Sequence, residues 1–236
     1  MVSYHVLVRQ DRAQLTALGA YRLALGIEVQ DAQNEGQVNV VFKADFPGPR
    51  VDFDWHIHCA LGWTTDAPKP GAAVKPKCWV PVELGRAYEL SELGYWGFST
   101  KANGTPGRID IVSSKYKDPV TVLLGLFNDE TNSYDAIFAD ASPLKPGDAT
   151  APPKSYLPTQ KAQIWYDVTG SKGAFQIPAV PGIVADDRTV AFVLVAPAPK
   201  AHSDAFAWTI SYDVTSNSWT VIAKPDPKPD LLADDS

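Results

Sequence analysis

Residues 54–59 hold the side chains of this chain that are best suited to chemistry. His56 and His58 are two of its four histidines, and one residue separates them in the run Asp-Trp-His-Ile-His-Cys. The alternation of polar and apolar residues predicts a β-strand, on which residues two apart point to the same face. Asp54, His56 and His58 would then project together. Neutral imidazoles and a carboxylate are ligands of Zn²⁺, Cu²⁺ and Fe²⁺, so these three residues are the candidate metal ligands.

The candidate metal set is incomplete in the sequence. A useful site needs a third ligand and often a fourth, and the remaining histidines, His5 and His202, are far away in the chain. The alternative is that His56 and His58 face solvent or a polar partner on an ordinary strand. We therefore expect no cofactor, and a divalent metal at this strand is the alternative.

The sequence favours a protein without catalytic residues. It contains no Gly-x-Ser-x-Gly elbow, no His-Glu-x-x-His motif and no glycine loop that cradles phosphate. His58 and Cys59 are adjacent, and adjacent strand residues point to opposite faces, so they cannot act as a base and a nucleophile. If the protein is an enzyme, its chemistry must centre on the two histidines.

Aromatic residues indicate ligand binding. The chain has seven tryptophans, and Trp and Tyr rings on sheets or loops form stacking platforms for sugars and other amphipathic ligands. The candidate ligand-binding residues are Tyr95, Trp96 and Phe98, which lie among glycines, together with Trp63. The alternative is that this segment is a core strand with a bulge at a glycine.

Composition restricts the partners. The formal net charge is −6, which counts against nucleic acid because phosphate backbones reward clustered Lys and Arg. No apolar stretch approaches transmembrane length, and no secretory signal begins the sequence, so we expect a protein that is cytoplasmic or released without a visible signal peptide. In that setting the two cysteines are expected to be reduced thiols.

The strand patterns predict an all-β fold with minimal helix. Apolar and polar residues alternate strictly over residues 21–30, which indicates a half-buried strand, and many further short strands follow. Such a series predicts an antiparallel β-sandwich, of the jelly-roll or Ig-like type, in one or two sandwich units. Residues 11–18 alone are helical in pattern, with Asp11 as the N-cap. The dipeptide Asn103-Gly104 predicts a tight hairpin turn.

The domain organisation follows from the proline pattern. We expect a β-sandwich region over residues 1–141, a proline-rich loop or linker over 142–160, and a second β-sandwich region over 161–224. The second region is either a separate domain or the completion of the first. Residues 225–236 are expected to form an extended C-terminal tail.

An internal similarity distinguishes the residues that build the fold from those that could do chemistry. Residues 53–57 and 206–210 both read Phe-x-Trp-x-Ile on a predicted strand. The second copy carries Thr209 and Ser211 where the first carries histidines. The Trp and Ile positions are therefore expected to build the fold, and the histidines are an addition to its polar face.

A short segment has a family resemblance. Residues 104–112 (Gly-Thr-Pro-Gly-Arg-Ile-Asp-Ile-Val), together with residues 120–128, resemble the central part of the aegerolysins, which are small β-sandwich lipid-binding proteins. No function or site residue is carried over from this resemblance. Two classes of function remain open: a non-catalytic β-sandwich that binds a carbohydrate or a lipid head group or assembles into a homo-oligomer, and a metal-binding protein or metalloenzyme.

Overall fold

The protein is mostly β-sheet. The computed structural model describes residues 3–18, 21–33, 36–67, 73–100, 102–147, 149–167, 192–195, 205–213, 215–216 and 218–223. These residues form sixteen strands and one helix, which confirms the all-β prediction. The predicted tail, residues 225–236, lies outside the described residues.

The elements follow one another along the chain with a single helix near the start. The helix is α1 (Arg12–Leu18). The strands are β1 (Ser3–Arg9), β2 (Arg22–Gln30), β3 (Gly36–Gln37), β4 (Lys43–Asp45), β5 (Arg50–His56), β6 (Cys59–Thr64), β7 (Trp79–Pro81), β8 (Arg86–Leu90), β9 (Trp96–Phe98), β10 (Ile109–Ser114), β11 (Thr121–Asn128), β12 (Ser133–Ala139), β13 (Ala149–Asp167), β14 (Phe192–Val195), β15 (Ala205–Asp213) and β16 (Ser218–Ala223).

The described strands form three sheets. The first has the order β16-β15-β1-β5, the second β3-β2-β13-β10-β8-β9 and the third β12-β11-β6-β7, while β14 pairs with β13 and β4 with β2. Most neighbours are antiparallel, as predicted, but β1 pairs in parallel with β15 and β8 with β10. An alternating strand pattern is the same for both directions, so the sequence does not show these two parallel pairs.

One hydrophobic cluster joins the three sheets. It includes Val6 of β1, Leu25 of β2 and Leu124 of β11, each of which is completely buried. The third sheet contacts both others, since β12 lies against β2 and β11 against β5. The outer face of the third sheet therefore lies opposite this shared core.

Strand β2 is buried on both faces, whereas its alternation predicts a half-buried strand. Leu25 and its odd-numbered neighbours face the large core. On the other face, Trp165 and Val38 cover Ala24 and Gly26. A Cβ atom on Gly26 would lie 2.3 Å from a Val38 methyl carbon, so the small residues make room for a second covering layer. Ala24 and Gly26 alternate with larger apolar residues and so occupy the positions that polar residues hold on a half-buried strand. For that reason the prediction of a half-buried strand was wrong.

The predicted proline-rich loop is largely a strand, because β13 begins at Ala149. Its prolines lie where the pairing is irregular. The adjacent prolines at 152 and 153 fall between Ala149 and Lys154, where the register with β10 shifts. Pro158 borders the register shift with β2. Proline has no N–H to donate to a sheet, so these irregular positions tolerate it.

The predicted helix is confirmed, together with its cap. The Gln14 N–H donates to Asp11 Oδ1 at 2.8 Å, and the Asp11 N–H donates to Gln14 Oε1 at 2.6 Å, which is a reciprocal capping box. This helix has seven residues. None of the helices in the described part of the chain is long and apolar enough to cross a membrane.

The dipeptide Asn103-Gly104 does not form the predicted tight hairpin. A type I′ turn requires positive φ at both central residues, and neither residue is among the described positions with positive φ. Gly104 instead packs against the start of β8, where an added Cβ atom would lie 2.4 Å from the Gly85 carbonyl oxygen. Its missing side chain therefore serves close packing.

Candidate functional site

The strand predicted over residues 54–59 is interrupted. β5 ends at His56, and β6 begins at Cys59 in a different sheet. Ile57 and His58 lie in a turn, in which the His58 N–H donates to the His56 carbonyl oxygen at 3.1 Å. His56, Ile57 and His58 are all half-buried, so the alternation of burial along β5 stops at the turn. The alternation of apolar and polar residue types continues through it and therefore does not reveal the turn.

The two imidazole rings nevertheless lie side by side and begin a longer row of rings. The ring centroids of His56 and His58 are 6.3 Å apart and their planes differ by 23°. The His58 ring lies 5.5 Å from Phe127 and 5.5 Å from Tyr134, and Tyr134 lies 6.3 Å from Trp79. All five side chains are partly exposed. We call these five residues the aromatic surface.

Strand pairing in the third sheet brings these rings together from distant parts of the sequence. Phe127 on β11 is the direct cross-strand partner of Tyr134 on β12. The side chains of such partners are adjacent on the same face. The Phe127 N–H also donates to the His58 carbonyl oxygen at 2.9 Å. This bond holds the turn that carries the histidines against β11.

Trp79 packs against two glycines. It pairs with Gly62 across β7 and β6, and its ring also lies over Gly125 on β11. A Cβ atom would lie 2.6 Å from an indole carbon at Gly62 and 2.9 Å from one at Gly125. Glycine at both positions therefore lets the six-membered ring of the indole approach the sheet backbone closely.

Hydrogen-bonding groups border the rings. His58 Nε2 and the Tyr134 hydroxyl are 3.1 Å apart, and His56 Nδ1 lies 3.3 Å from Asp129 Oδ2. Burial raises the pKa of Tyr134, so its hydroxyl stays protonated at neutral pH. The aromatic surface thus combines apolar ring faces with polar groups at its edge.

Two of the three predicted metal ligands, His56 and His58, lie side by side in the structure. Asp54 lies on the exposed face of β5, two residues before His56. Among the described residues, however, no three His, Cys, Asp or Glu side chains come close enough to bind one metal ion. His5 is paired elsewhere, with its Nε2 2.8 Å from Asp52 Oδ1, and His202 lies outside the described residues. The third ligand that the metal hypothesis requires is not found in the described part of the chain.

The four predicted ligand-binding residues separate into two buried and two exposed side chains. Trp63 and Trp96 lie in the core, each only 5 % exposed, so neither offers an open ring face. At Trp63, the positive φ of Gly94 turns the chain over the ring, and the Trp63 indole N–H donates to the Gly94 carbonyl oxygen at 2.7 Å. Tyr95 and Phe98 are 62 % and 58 % exposed.

Sequence reasoning did not identify Trp79, Phe127 or Tyr134 as binding residues. A usable signal was present, because Gly62 and Gly125 both stand inside strand patterns. Glycine within a strand often marks a site where another group approaches the backbone closely. That signal points to an approaching group, but the sequence does not show that the group is Trp79.

Comparisons with known proteins do not assign this chain to a family. No family model matches it, no curated protein matches it, and no solved structure matches it. The function must therefore be argued from the side chains of the protein itself, and the aromatic surface offers the most for that argument.

Proposed function

We propose that this protein is a non-catalytic carbohydrate-binding protein with a sandwich-type β-architecture, and that the aromatic surface is its binding site. One observation carries the proposal: Trp79 packs closely against Gly62 and Gly125 through its six-membered ring, next to the partly exposed Tyr134 ring. A sugar ring has an apolar face of C–H groups, and that face stacks on an aromatic ring.

The binding surface is ordered before the ligand arrives. Its rings contact one another, with the Phe127 and Tyr134 centroids 5.3 Å apart, and the sheet backbone supports Trp79. Ordering side chains on binding costs affinity, so rings that are already held in place bind a ligand at lower entropic cost. A rigid platform suits a sugar, which offers few strong contacts for each ring.

The edge of the aromatic surface supplies partners for sugar hydroxyls. The Asp129 carboxylate accepts hydrogen bonds and its side chain is 73 % exposed. The imidazoles of His56 and His58 and the Tyr134 hydroxyl have both donor and acceptor capacity, depending on the histidine tautomers. Hydroxyl groups on a stacked sugar need this mixture, since each is both a donor and an acceptor.

The charges beside the aromatic surface favour an uncharged sugar over a phosphate-bearing lipid head group. Asp129 and Glu130 are 73 % and 77 % exposed in the turn that joins β11 and β12. The neighbouring cation, Lys43, is already paired with Glu130 at 3.1 Å. A phosphate is bound best by Arg, Lys or backbone N–H groups, and these carboxylates would repel it.

Binding of the purified protein to a glycan array and to immobilised polysaccharides tests the proposal. We expect Trp79→Ala and Tyr134→Ala to weaken binding about tenfold each, because each removes a stacking partner. Tyr95→Ala is the matched control, since Tyr95 is an exposed ring outside the aromatic surface, and it should bind as the wild type does. Circular dichroism checks that all three variants are folded.

Two results would overturn the proposal. One is that folded wild-type protein binds no glycan and no polysaccharide. The other is that Trp79→Ala and Tyr134→Ala bind as tightly as Tyr95→Ala. Light scattering on the same samples then tests self-assembly, and a homo-oligomer without any bound glycan would favour an assembling protein instead.

A further inference from the structure

A groove on the second sheet is separate from the aromatic surface. It lies beside β8 and β9 and has a volume of about 400 Å³. This is within the range of about 300–1,000 Å³ that is typical of small-ligand pockets. The side chains that matter to the argument are Glu83, Arg86, Phe98 and Asn103. We call this cavity the Phe98 groove.

The walls of the groove are tightly fixed. The loop that carries Asn103 lies against the start of β8, where a Cβ atom on Gly104 would be 2.5 Å from the Arg86 backbone. The buried Asp110 holds the same loop, because its carboxylate accepts a hydrogen bond from the Thr105 N–H at 2.6 Å. The groove is thus built into the fold before any ligand binds.

Asp110 is in turn held by a network that spans three strands. Its other carboxylate oxygen accepts the Ser155 hydroxyl at 2.5 Å, and Arg108 Nε donates to Ser155 Oγ at 2.7 Å. Arg108 also donates to the Gln30 carbonyl oxygen at 3.2 Å. A satisfied buried network of this kind makes a local structure rigid, and here it supports the loop at the groove.

The groove pairs an aromatic wall with hydrogen-bonding groups. The Phe98 ring is 58 % exposed and is backed by the Tyr88 ring at 5.2 Å. The Arg86 guanidinium lies 5.8 Å from the Phe98 centroid. Arg86 and Glu83 are 3.3 Å apart with side chains 62 % and 66 % exposed. An exposed ion pair of this kind is weak, so both groups can turn to a ligand.

We propose that the Phe98 groove is a second binding site, for one or two uncharged sugar rings, and that it acts independently of the aromatic surface. Arg86 and Glu83 cancel in charge, which favours a neutral polyhydroxyl ligand over an anion or a cation. Arg86 and the Asn103 amide donate to sugar oxygens, Glu83 accepts from sugar hydroxyls, and Phe98 receives the C–H face. The ligand class is that of the proposed function, whereas the site and its residues are different.

Saturation-transfer NMR with the methyl glycosides of glucose, galactose, mannose and N-acetylglucosamine tests this site on the full chain. We expect at least one glycoside to bind the wild type and to shift the backbone amide signals of residues 83–87, 98–100 and 102–104. Phe98→Ala should raise the Kd for that glycoside about tenfold. Tyr95→Ala removes an equally exposed ring outside the groove and should leave the Kd unchanged.

Trp79→Ala separates this inference from the proposed function. If both sites exist, Trp79→Ala loses polysaccharide binding and keeps the glycoside, while Phe98→Ala does the reverse. If the aromatic surface is not a binding site, Trp79→Ala changes neither measurement and Phe98→Ala still weakens the glycoside. The inference is overturned if no glycoside binds, or if Phe98→Ala and Tyr95→Ala bind it equally well.

Discussion

Two groups of aromatic side chains in this protein have opposite surroundings. Tyr4, Trp55 and Trp208 stack across β5, β1 and β15, with ring centroids 5.3–6.5 Å apart and planes within 13°. We call these three residues the core stack, and none of them is more than 5 % exposed. The rings of the aromatic surface are similarly spaced but partly exposed, on the outer face of the third sheet and on the turn that leads into it from β5.

The comparison is sharpest at two consecutive residues. Trp55 belongs to the core stack, while His56 belongs to the aromatic surface, and the alternation of β5 places them on opposite faces. In the core stack, the burial of apolar area stabilises the fold. In the aromatic surface, part of that area stays in contact with water, so these rings contribute less to stability and can bind a ligand.

The largest expected difference between the two groups is in stability. Trp55→Ala should lower the free energy of unfolding by about 3–5 kcal/mol, because it leaves a cavity beside Tyr4 and Trp208 in the core. Trp79→Ala should lower it by about 1–2 kcal/mol, since the indole is only partly buried. Urea unfolding followed by circular dichroism measures both changes.

A milder pair of variants keeps this prediction testable if the alanine variants do not fold. Trp55→Phe and Trp79→Phe each retain a ring, and Trp55→Phe should still cost more because the buried Trp55 contacts both Tyr4 and Trp208. Equal costs at the two positions would mean that the aromatic surface is as much a part of the core as the core stack is.

The packing of Trp79 against Gly125 gives the next largest expected effect on stability. Gly125→Ala should destabilise the protein by about 1–3 kcal/mol, because the new methyl group would lie 2.9 Å from the indole and must displace it. Gly97→Ala is the control, since a Cβ atom there meets nothing within 4 Å. Tryptophan fluorescence should shift to longer wavelength in the Gly125 variant alone. An unchanged emission wavelength would contradict the close contact between the Trp79 indole and Gly125.

The sequence predicts Trp55 and Trp208 of the core stack better than it predicts the aromatic surface. Trp55 and Trp208 occupy matching positions in two similar strand segments, and both prove to be buried on strands that flank β1. Their burial is a local consequence of alternation, which the residue pattern contains. The capped helix is local in the same sense, because Asp11 and Gln14 are only three residues apart.

The aromatic surface depends on information that the residue pattern does not contain. His58, Trp79 and Tyr134 are far apart in the chain, and they meet only because β7, β6, β11 and β12 pair in that order and register. Single strands do not specify their neighbours. The sequence also does not predict the turn after His56. Ile57 in that turn packs against the core, so an apolar residue stands there just as it would on a continuous strand.

A buried thiol in the core gives a pH-dependent effect. Cys59 is a free thiol, and burial raises its pKa from 9.0 to about 12. Between those pH values the unfolded chain has lost the thiol proton and the folded chain keeps it, so stability falls as pH rises. The stabilisation is complete below pH 9.0 and its loss has a slope of about 1.4 kcal/mol per pH unit.

Cys59→Ala measures this contribution through a slope. The unfolding free energy of the wild type should decline more steeply than that of the variant above pH 9.0, whatever the variant costs at neutral pH. Parallel curves would show that the thiol ionises equally in both states. Cys78→Ala is the control, because Cys78 is only partly buried beside Trp63 and Gly94, where burial raises its pKa by less, so it should change the slope less.

The smallest effect is a difference in thiol reactivity that leaves the fold unchanged. A thiolate is the species that reacts with iodoacetamide, so access and pKa together control the rate. Cys78 is partly exposed and burial raises its pKa less, whereas Cys59 is only 4 % exposed and burial raises its pKa to about 12. Peptide mass spectrometry at pH 8 should therefore find Cys78 alkylated first. Urea should make the two rates equal, because unfolding removes the burial that protects Cys59. Equal rates in the folded protein would mean that the core around Cys59 opens as readily as the surroundings of Cys78.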